Sequence, residues 1–269
     1  MAQFTTILLE VNEKGVATVT LNRPDVHNAF DATMIIELTR AADLLEKDPA
    51  VSVVVLRGAG KSFCAGGDMN WLRDVRSFTP EESEADSQRL AKLFDHWQQL
   101  SRPVIGMVHG ASMGGGTGLV SICDYVLADS QATFGLTEAR LGLVPAVISP
   151  YVMAKIGPGH ARALFTSGIR ISAERARTIG LVHEIAAHNL NDRLEMIIGE
   201  YLKCGPHAMR HAKQLVADLI TLAPHGPDSV QRHTIRLITE LRQSAEAQEG
   251  LDAALSKRQP SWATKGDAA

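Results

Sequence analysis

Apolar and polar positions change rhythm along the chain. Ile7 to Val11 and Val16 to Leu21 are apolar, β-branched runs on either side of Asn12-Glu13-Lys14-Gly15. Two such runs around a short glycine-bearing turn predict a hairpin. Asp31 can then cap a helix through about Glu46, with Met34, Ile35, Leu38, Ala42 and Leu45 recurring on one face. Val51 to Leu56 is continuously apolar, the pattern of a strand buried on both faces. A polar, glycine-rich loop follows from Gly58 to Asp68. A long helix is predicted over Pro80 to Leu100, where Pro80 suits the first turn and Glu81, Glu82 and Glu84 favour the positive end. Val104 to Val108 reads as the next buried strand. More glycines, a short helix and the strand Tyr125 to Ala128 come after it. This alternation predicts an α/β layered core.

Beyond Leu181 to Ile185 the pattern turns helical: Asn191 to Cys204, Pro206 to Leu222, Ser229 to Ser244 and Ala247 to Arg258. The chain therefore divides into an α/β core over residues 1–187 and a helical region over residues 188–269, with the tail after Trp262 expected to fray.

Composition narrows the function classes. With 269 residues and 45% hydrophobic content, one large core with a helical appendage can form. A net charge of −3 and a pI near 6.4 offer no basic surface for nucleic acid or an anionic membrane. Aromatic content of 5% argues against a base-stacking platform. Cys64, Cys123 and Cys204 are widely spaced and form no C-x-x-C, which fits a reducing compartment. Met1-Ala2-Gln3-Phe4 lacks the features of a signal peptide, and no apolar run approaches the ~18 residues of a membrane span. The expectation is a soluble, cytoplasmic protein.

Candidate chemistry concentrates in two glycine loops. Gly110-Ala111-Ser112-Met113-Gly114 fits the G-x-S-x-G of a nucleophile elbow, and His183, His188 and His207 lie downstream as partners. The elbow does not explain why Gly115, Gly116 and Gly118 follow at once, since each glycine inside a helix costs about 1 kcal/mol against alanine. Gly60-Lys61-Ser62 ends like a phosphate loop, but Val55 stands where that loop needs its first glycine. His207 and His211 lack the glutamate of H-E-x-x-H, and no metal site is expected.

The loops make better sense together. Each follows a buried strand, and loops after neighbouring strands of one sheet open at the same edge. Gly67 and Gly115 could each offer a bare backbone N–H. Two such donors converging on one oxygen make an oxyanion hole, strengthened by the helix that Gly115 opens.

At these residues the chain resembles the enoyl-CoA hydratase/isomerase (crotonase) superfamily. The resemblance runs nearly end to end through VATVTLNRPDVHNAF, KSFCAGGDM, RPVIGMVHGASMGGGTGLVSICDYVLAD, ATFGLTEARLGLVPA, GIRISAERARTIGLVHEI and EGLDAALSKRQPSW. It implies a spiral of ββα units with a helical C-terminal trimerisation region, acyl-CoA thioester substrates, and trimers or hexamers. Coenzyme A would be part of the substrate, with no separate cofactor. By position, Gly67 and Gly115 match the oxyanion donors and Glu138 matches a catalytic glutamate. His27, Asn28, Ala29, Ala65 and Gly66 match loops that hold coenzyme A, largely through backbone groups. Asp68 matches the residue after the first donor and reads as a helix cap. Ser112 falls where the family carries an ordinary small residue.

One departure bears on the reaction. Two-glutamate hydratases carry their other glutamate at the position of Gly118. Isomerases of the superfamily also work with a glutamate at the Glu138 position. GGGTGLVSICD and LTEARLGLVPAVISPYVMAKIG further resemble bacterial methylglutaconyl-CoA and isohexenylglutaconyl-CoA hydratases of leucine and acyclic-terpene degradation. In that resemblance Val147 to Pro150 shape the acyl pocket. The expected activity is hydration of a 2-enoyl-CoA. A 3-enoyl-CoA isomerase is the main alternative, and a Ser112 hydrolase or a non-catalytic CoA- or RNA-binding scaffold is more remote.

Overall fold

The computed structural model describes residues 4–186 and 188–263. β1 (Ile7–Val11) and β2 (Val16–Leu21) pair antiparallel, with Leu9 opposite Val19. Asn12 fixes the turn: its Oδ1 accepts from the N–H groups of Lys14 and Val16, each at 3.0 Å. α1 (Ala32–Lys47) is capped by Asp31, which accepts from the Met34 N–H at 2.7 Å. Its buried residues are the predicted five plus Ala41.

β3 covers Val53–Gly58, two residues later than the apolar run suggested. Val51 is fully buried but sits in the turn before the strand, its N–H bonded to the Asp48 carbonyl. Apolar identity marked burial there, not pairing. There follow α2 (Met69–Val75), α3 (Pro80–Gln98), β4 (Val104–Val108), β5 (Ala111–Met113), α4 (Gly115–Ile122), β6 (Tyr125–Asp129) and β7 (Thr133–Gly135). Then come α5 (Ser149–Ser167), β8 (Arg170–Ser172), α6 (Ala173–Thr178) and β9 (Glu184–Ala186). A complete capping box starts α3, with Thr79 and Glu82 each bonding the other's backbone N–H. α5 is kinked at Gly157, whose φ is 75°, just before Pro158.

The main sheet runs β1-β2-β3-β4-β6-β9 and is parallel from β2 onward. Its two faces bury different partners. Val54, Leu56, Val104 and Val108 face the cluster holding Leu38, Leu93, Phe94 and Trp97 of α1 and α3. Val53, Val55, Ile105 and Met107 face Leu194, Ile197 and Ile198. Burial on both sides explains the unbroken apolar strands. A second sheet, β5-β7-β8, was not expected. Strands of three residues are too short to show a period.

The C-terminal helices are α7 (Leu190–Leu202), α8 (Pro206–Leu222), α9 (Pro227–Arg242) and α10 (Ala245–Leu255). α7 is part of the core by packing, through Leu194, Ile197 and Ile198. The boundary read at Ala187 falls on a residue outside those described, as does the chain from residue 264 onward. α8 is tied to the core by Lys213, whose Nζ reaches Asp124 Oδ2 at 2.7 Å and the Arg102 carbonyl at 3.1 Å. Its N-terminus is held by Glu246 of α10, which accepts from the His207 and Ala208 N–H groups at 2.9 and 2.8 Å. Among the described residues no helix is long and apolar enough to cross a membrane.

Candidate active site

β3 and β4 pair in parallel, Leu56 opposite Gly106, so the chain leaves both at one edge. The loop after β3 then runs beside β5. Cys64 N–H donates to the Ala111 carbonyl at 3.1 Å, and Met113 N–H donates to the Cys64 carbonyl at 2.9 Å. Two residues on, Phe30 N–H donates to the Gly66 carbonyl at 2.7 Å, and Asp68 N–H donates to the Phe30 carbonyl at 2.8 Å. That parallel bridge uses the groups on either side of Gly67. The Gly67 N–H itself therefore points away from Phe30.

Gly115 is freed differently. It is the first residue of α4, where an N–H has no intrahelical acceptor. The preceding Gly114, at φ 49°, bonds its own N–H to the Gly135 carbonyl at 2.8 Å. Among the described residues, neither Gly67 nor Gly115 donates its N–H to a backbone carbonyl.

The two loops touch. A Cβ on Gly66 would stand 3.1 Å from the Met113 carbonyl oxygen and 3.9 Å from the Gly114 nitrogen. A Cβ on Gly114 would stand 3.9 Å from Gly66 Cα and 3.0 Å from Glu138 Oε1. Gly66 at φ 96° and Gly114 at φ 49° both adopt backbone that side chains disfavour. Gly66, Gly114 and the Glu138 carboxylate thus meet at one place.

Glu138 starts a short 3-10 turn, Glu138–Leu141, and is half-buried. Thr137 makes no side-chain cap bond there. Burial pushes the Glu138 carboxyl above its ordinary pKa, and its own backbone N–H only partly offsets this. Its Oε2 is buried without a hydrogen-bond partner, as are Trp71 Nε1 and Ser112 Oγ. All three residues flank the glycine loops. Unpaired polar atoms are rare in native interiors and expensive, so the Glu138 and Trp71 atoms are candidates for contact with a polar ligand.

Ser112 does not form an elbow. It lies inside β5, fully buried, its Oγ bonded to nothing. None of the histidines suggested for it bonds to it: His183 Nδ1 accepts from the Val126 N–H at 2.9 Å, and His188 and His207 are exposed while Ser112 is fully buried. The hydrolase reading is overturned by this geometry. Strand β5 intervenes where the elbow needed a strand-to-helix turn.

The segment Arg23 to Phe30 is bound tightly to the first loop. His27 and Asn28 are both left-handed, at φ 54° and 56°. Asn28 is fully buried. Its Oδ1 accepts from the Arg23 N–H and its Nδ2 donates to the Ala59 and Ser62 carbonyls, each at 2.8 Å. His27 is exposed, and its carbonyl accepts from the Ala65 N–H at 3.0 Å. Arg23 was missed in the sequence. Its guanidinium contacts Asp68 at 2.9 Å, Asp31 at 3.1 Å and the Ala29 carbonyl at 2.6 Å. Asp68 caps α2 by accepting from the Asn70 N–H at 2.8 Å. Burial would raise its pKa, but the Asn70 N–H and Arg23 outweigh burial and hold the carboxyl below its usual range. Asn28 and Asp68 thus turn their side chains inward and shape the loop.

Gly118 lies on α4 one turn after Gly114, its N–H bonded to the Gly114 carbonyl at 3.0 Å. Val147 is half-buried against the core, and Gly118 packs against Ile148 and Phe94.

A family model described as enoyl-CoA hydratase/isomerase matches residues 11–265. The chain belongs to the enoyl-CoA hydratase/isomerase family. The crotonyl-CoA hydratase of Syntrophomonas wolfei is 30% identical, over 96% of this chain and 98% of its own. The 2,3-dehydroadipyl-CoA hydratase of Escherichia coli K12 is 28% identical, over 95% and 98%. A crystal structure of an enoyl-CoA hydratase from Shewanella pealeana superposes with a TM-score of 0.92 at 34% identity, covering 97% of each chain. Acyl-CoA thioesters are substrates that fit the family.

Proposed function

We propose that the protein hydrates 2-enoyl-CoA thioesters, with the Gly67 and Gly115 N–H groups as oxyanion hole and Glu138 as the single general base. The observation that carries this reading is the half-buried, unpaired Glu138 carboxylate lying against Gly114, next to Gly66, where the two loops meet. A thioester enolate is high in energy in water. Two fixed donors stabilise the negative charge as it develops, and losing one typically costs ~3–4 kcal/mol. Glu138 takes a proton from water as the oxygen adds to Cβ. The electron pair of the double bond moves onto the thioester oxygen. The enolate then takes a proton at Cα from Glu138, which restores the carboxylate. Burial suits the first half, because a carboxylate with a raised pKa is a stronger base toward the attacking water than an ordinary glutamate.

The acyl group we infer is a branched glutaconyl type with a distal carboxylate. Support comes from the PAVISPYV segment, from Gly118 at the place of the other glutamate, and from a relative named for dehydroadipyl-CoA, also a carboxylated acyl group. The distal carboxylate would help hold the water. Isomerisation of 3-enoyl-CoA is the second reading, because one carboxylate suffices to carry a proton from Cα to the γ carbon. We also infer a trimer or hexamer, supported by the exposed apolar faces of α8 and α9, and a reducing cytoplasmic setting, which three free cysteines suit.

An activity panel tests the reading: crotonyl-CoA, methylglutaconyl-CoA and a 3-enoyl-CoA, followed by enoyl absorbance. Faster hydration of the carboxylated ester supports the full assignment. Equal rates on both 2-enoyl esters remove the branched-substrate inference. Turnover of the 3-enoyl ester alone makes the protein an isomerase, and no turnover with tight binding makes it a scaffold.

A further inference from the structure

Gly118 is enclosed by hydrocarbon. A Cβ there would stand 2.6 Å from Ile148 Cγ2, 3.0 Å from Ile148 Cβ and 2.9 Å from Phe94 Cε1. These are branched or aromatic atoms of packed side chains. Phe94 is fully buried and Ile148 is 3% exposed. Phe94 is backed by Tyr151, with ring centroids 5.8 Å apart. Ile148 is held by its backbone, since it precedes α5 and its carbonyl accepts from the Val152 N–H at 3.1 Å. Neither side chain can swing aside without disturbing the core.

This enclosure lies close to the base. Gly118 donates its N–H to the Gly114 carbonyl at 3.0 Å, and Gly114 is the glycine that touches Glu138. The two α carbons are therefore about one helical turn apart, ~5–6 Å.

We propose that Ile148 determines how many carboxylates this site can hold. Its side chain, backed by Phe94, fills the volume that any side chain on residue 118 would need. The site is thus a one-carboxylate site by packing, and simply adding a glutamate cannot convert it. Where a second carboxylate would grip the attacking water, the protein supplies hydrocarbon. An acyl group that brings its own oxygen is then favoured over a plain hydrocarbon chain. This specificity claim rests on the single-base reading above; the packing claim does not.

The packing claim is tested without turnover. Melting temperatures are measured for wild type, G118A, I148A and G118A/I148A. G118A lowers the Tm because its methyl group meets Ile148 and Phe94. In the I148A background the same change lowers it by clearly less, because only Phe94 still stands against the new methyl group. Strictly additive effects overturn the proposal. The specificity claim is tested with G118E/I148A. Its preference for methylglutaconyl-CoA over crotonyl-CoA, as a ratio of kcat/KM, falls at least tenfold below that of wild type, and its pH–rate profile gains a second ionisation. An unchanged ratio and profile overturn this claim. If G118E alone melts like wild type and gains crotonyl-CoA hydration, Ile148 sets no limit and the proposal fails. Should G118E/I148A fail to fold, the alanine cycle decides the packing claim, and equal kcat/KM of wild type on methylglutaconyl-CoA and crotonyl-CoA overturns the specificity claim. Failure of the single-base reading would show in wild type with Glu138 replaced, not in the melting cycle.

Discussion

The core and the C-terminal helices use the same building material to opposite ends. α1 turns six residues inward and buries them against the sheet. α8 and α9 are just as amphipathic in sequence, yet neither contains a buried residue. Val216 and Ile220 of α8 are 61% and 68% exposed, and Ile235 of α9 is 55% exposed. Ala208, His211, Leu215, Ile238 and Leu241 line an open, largely apolar groove between these helices, of about 460 Å³. The core buries its sheet on both faces and keeps unpaired polar atoms beside the glycine loops, though it also leaves Leu141, Leu143 and Val144 exposed close to Glu138. The helical arm leaves its apolar surface unfinished, which is what an assembling surface requires. On the proposed reading, chemistry and association would fall to different parts of the molecule.

That division can be tested from either side. The largest effect is expected from Glu138→Gln, which should cut hydration by roughly 10²–10⁴-fold while acyl-CoA still binds, as steady-state rates and calorimetry would show. The same change should stabilise the fold at neutral pH. A carboxyl whose folded pKa is raised makes its contribution below the unfolded pKa and loses it as pH rises through the folded value. A neutral glutamine escapes that loss. Its Tm should therefore exceed that of wild type at pH 7 and converge with it in acid.

Arg23→Gln comes next. It leaves Asp68 buried without its cation, at a cost of about 3 kcal/mol by analogy with other broken buried pairs. Because the clamp joins the His27 segment to the Gly67 loop, kcat should fall along with Tm, and Arg23→Lys should restore part of each. A drop in Tm with kcat intact would confine Arg23 to stability.

A smaller effect on the chain itself, but a visible one on mass, is expected from V216E/I220E. Light scattering should report smaller particles, with each chain's circular dichroism unchanged. If the mass is unaltered, these faces take no part in association. The smallest effect belongs to Ser112→Ala, which should leave activity within about twofold and stability within ~0.5 kcal/mol, since the hydroxyl bonds to nothing. A large loss of activity would return Ser112 to the site.

Much of this was legible because it rests on local pattern. The hairpin and α1 follow from periodicity and from Asn12 and Asp31. The glycine loops stood out because glycine is costly inside a helix. What stayed hidden depends on tertiary pairing. β5, β7 and β8 are three residues each, and only their mutual pairing makes them a sheet. Arg23 lies 45 residues before Asp68 in sequence, and nothing local marks it as a clamp. Glu138 read from sequence alone is a surface carboxylate at a helix start. The family resemblance singled it out, and its burial and its contact with Gly114 now set it apart physically.

The most direct measurement is a crystal structure of the protein with a 3-ketoacyl-CoA, whose thioester oxygen carries enolate charge. That oxygen should lie about 2.7–3.1 Å from both the Gly67 and Gly115 nitrogens, with a Glu138 oxygen facing the α carbon. A thioester oxygen held by only one of these amides, or turned into another cavity, would contradict the oxyanion hole and the chemistry built on it.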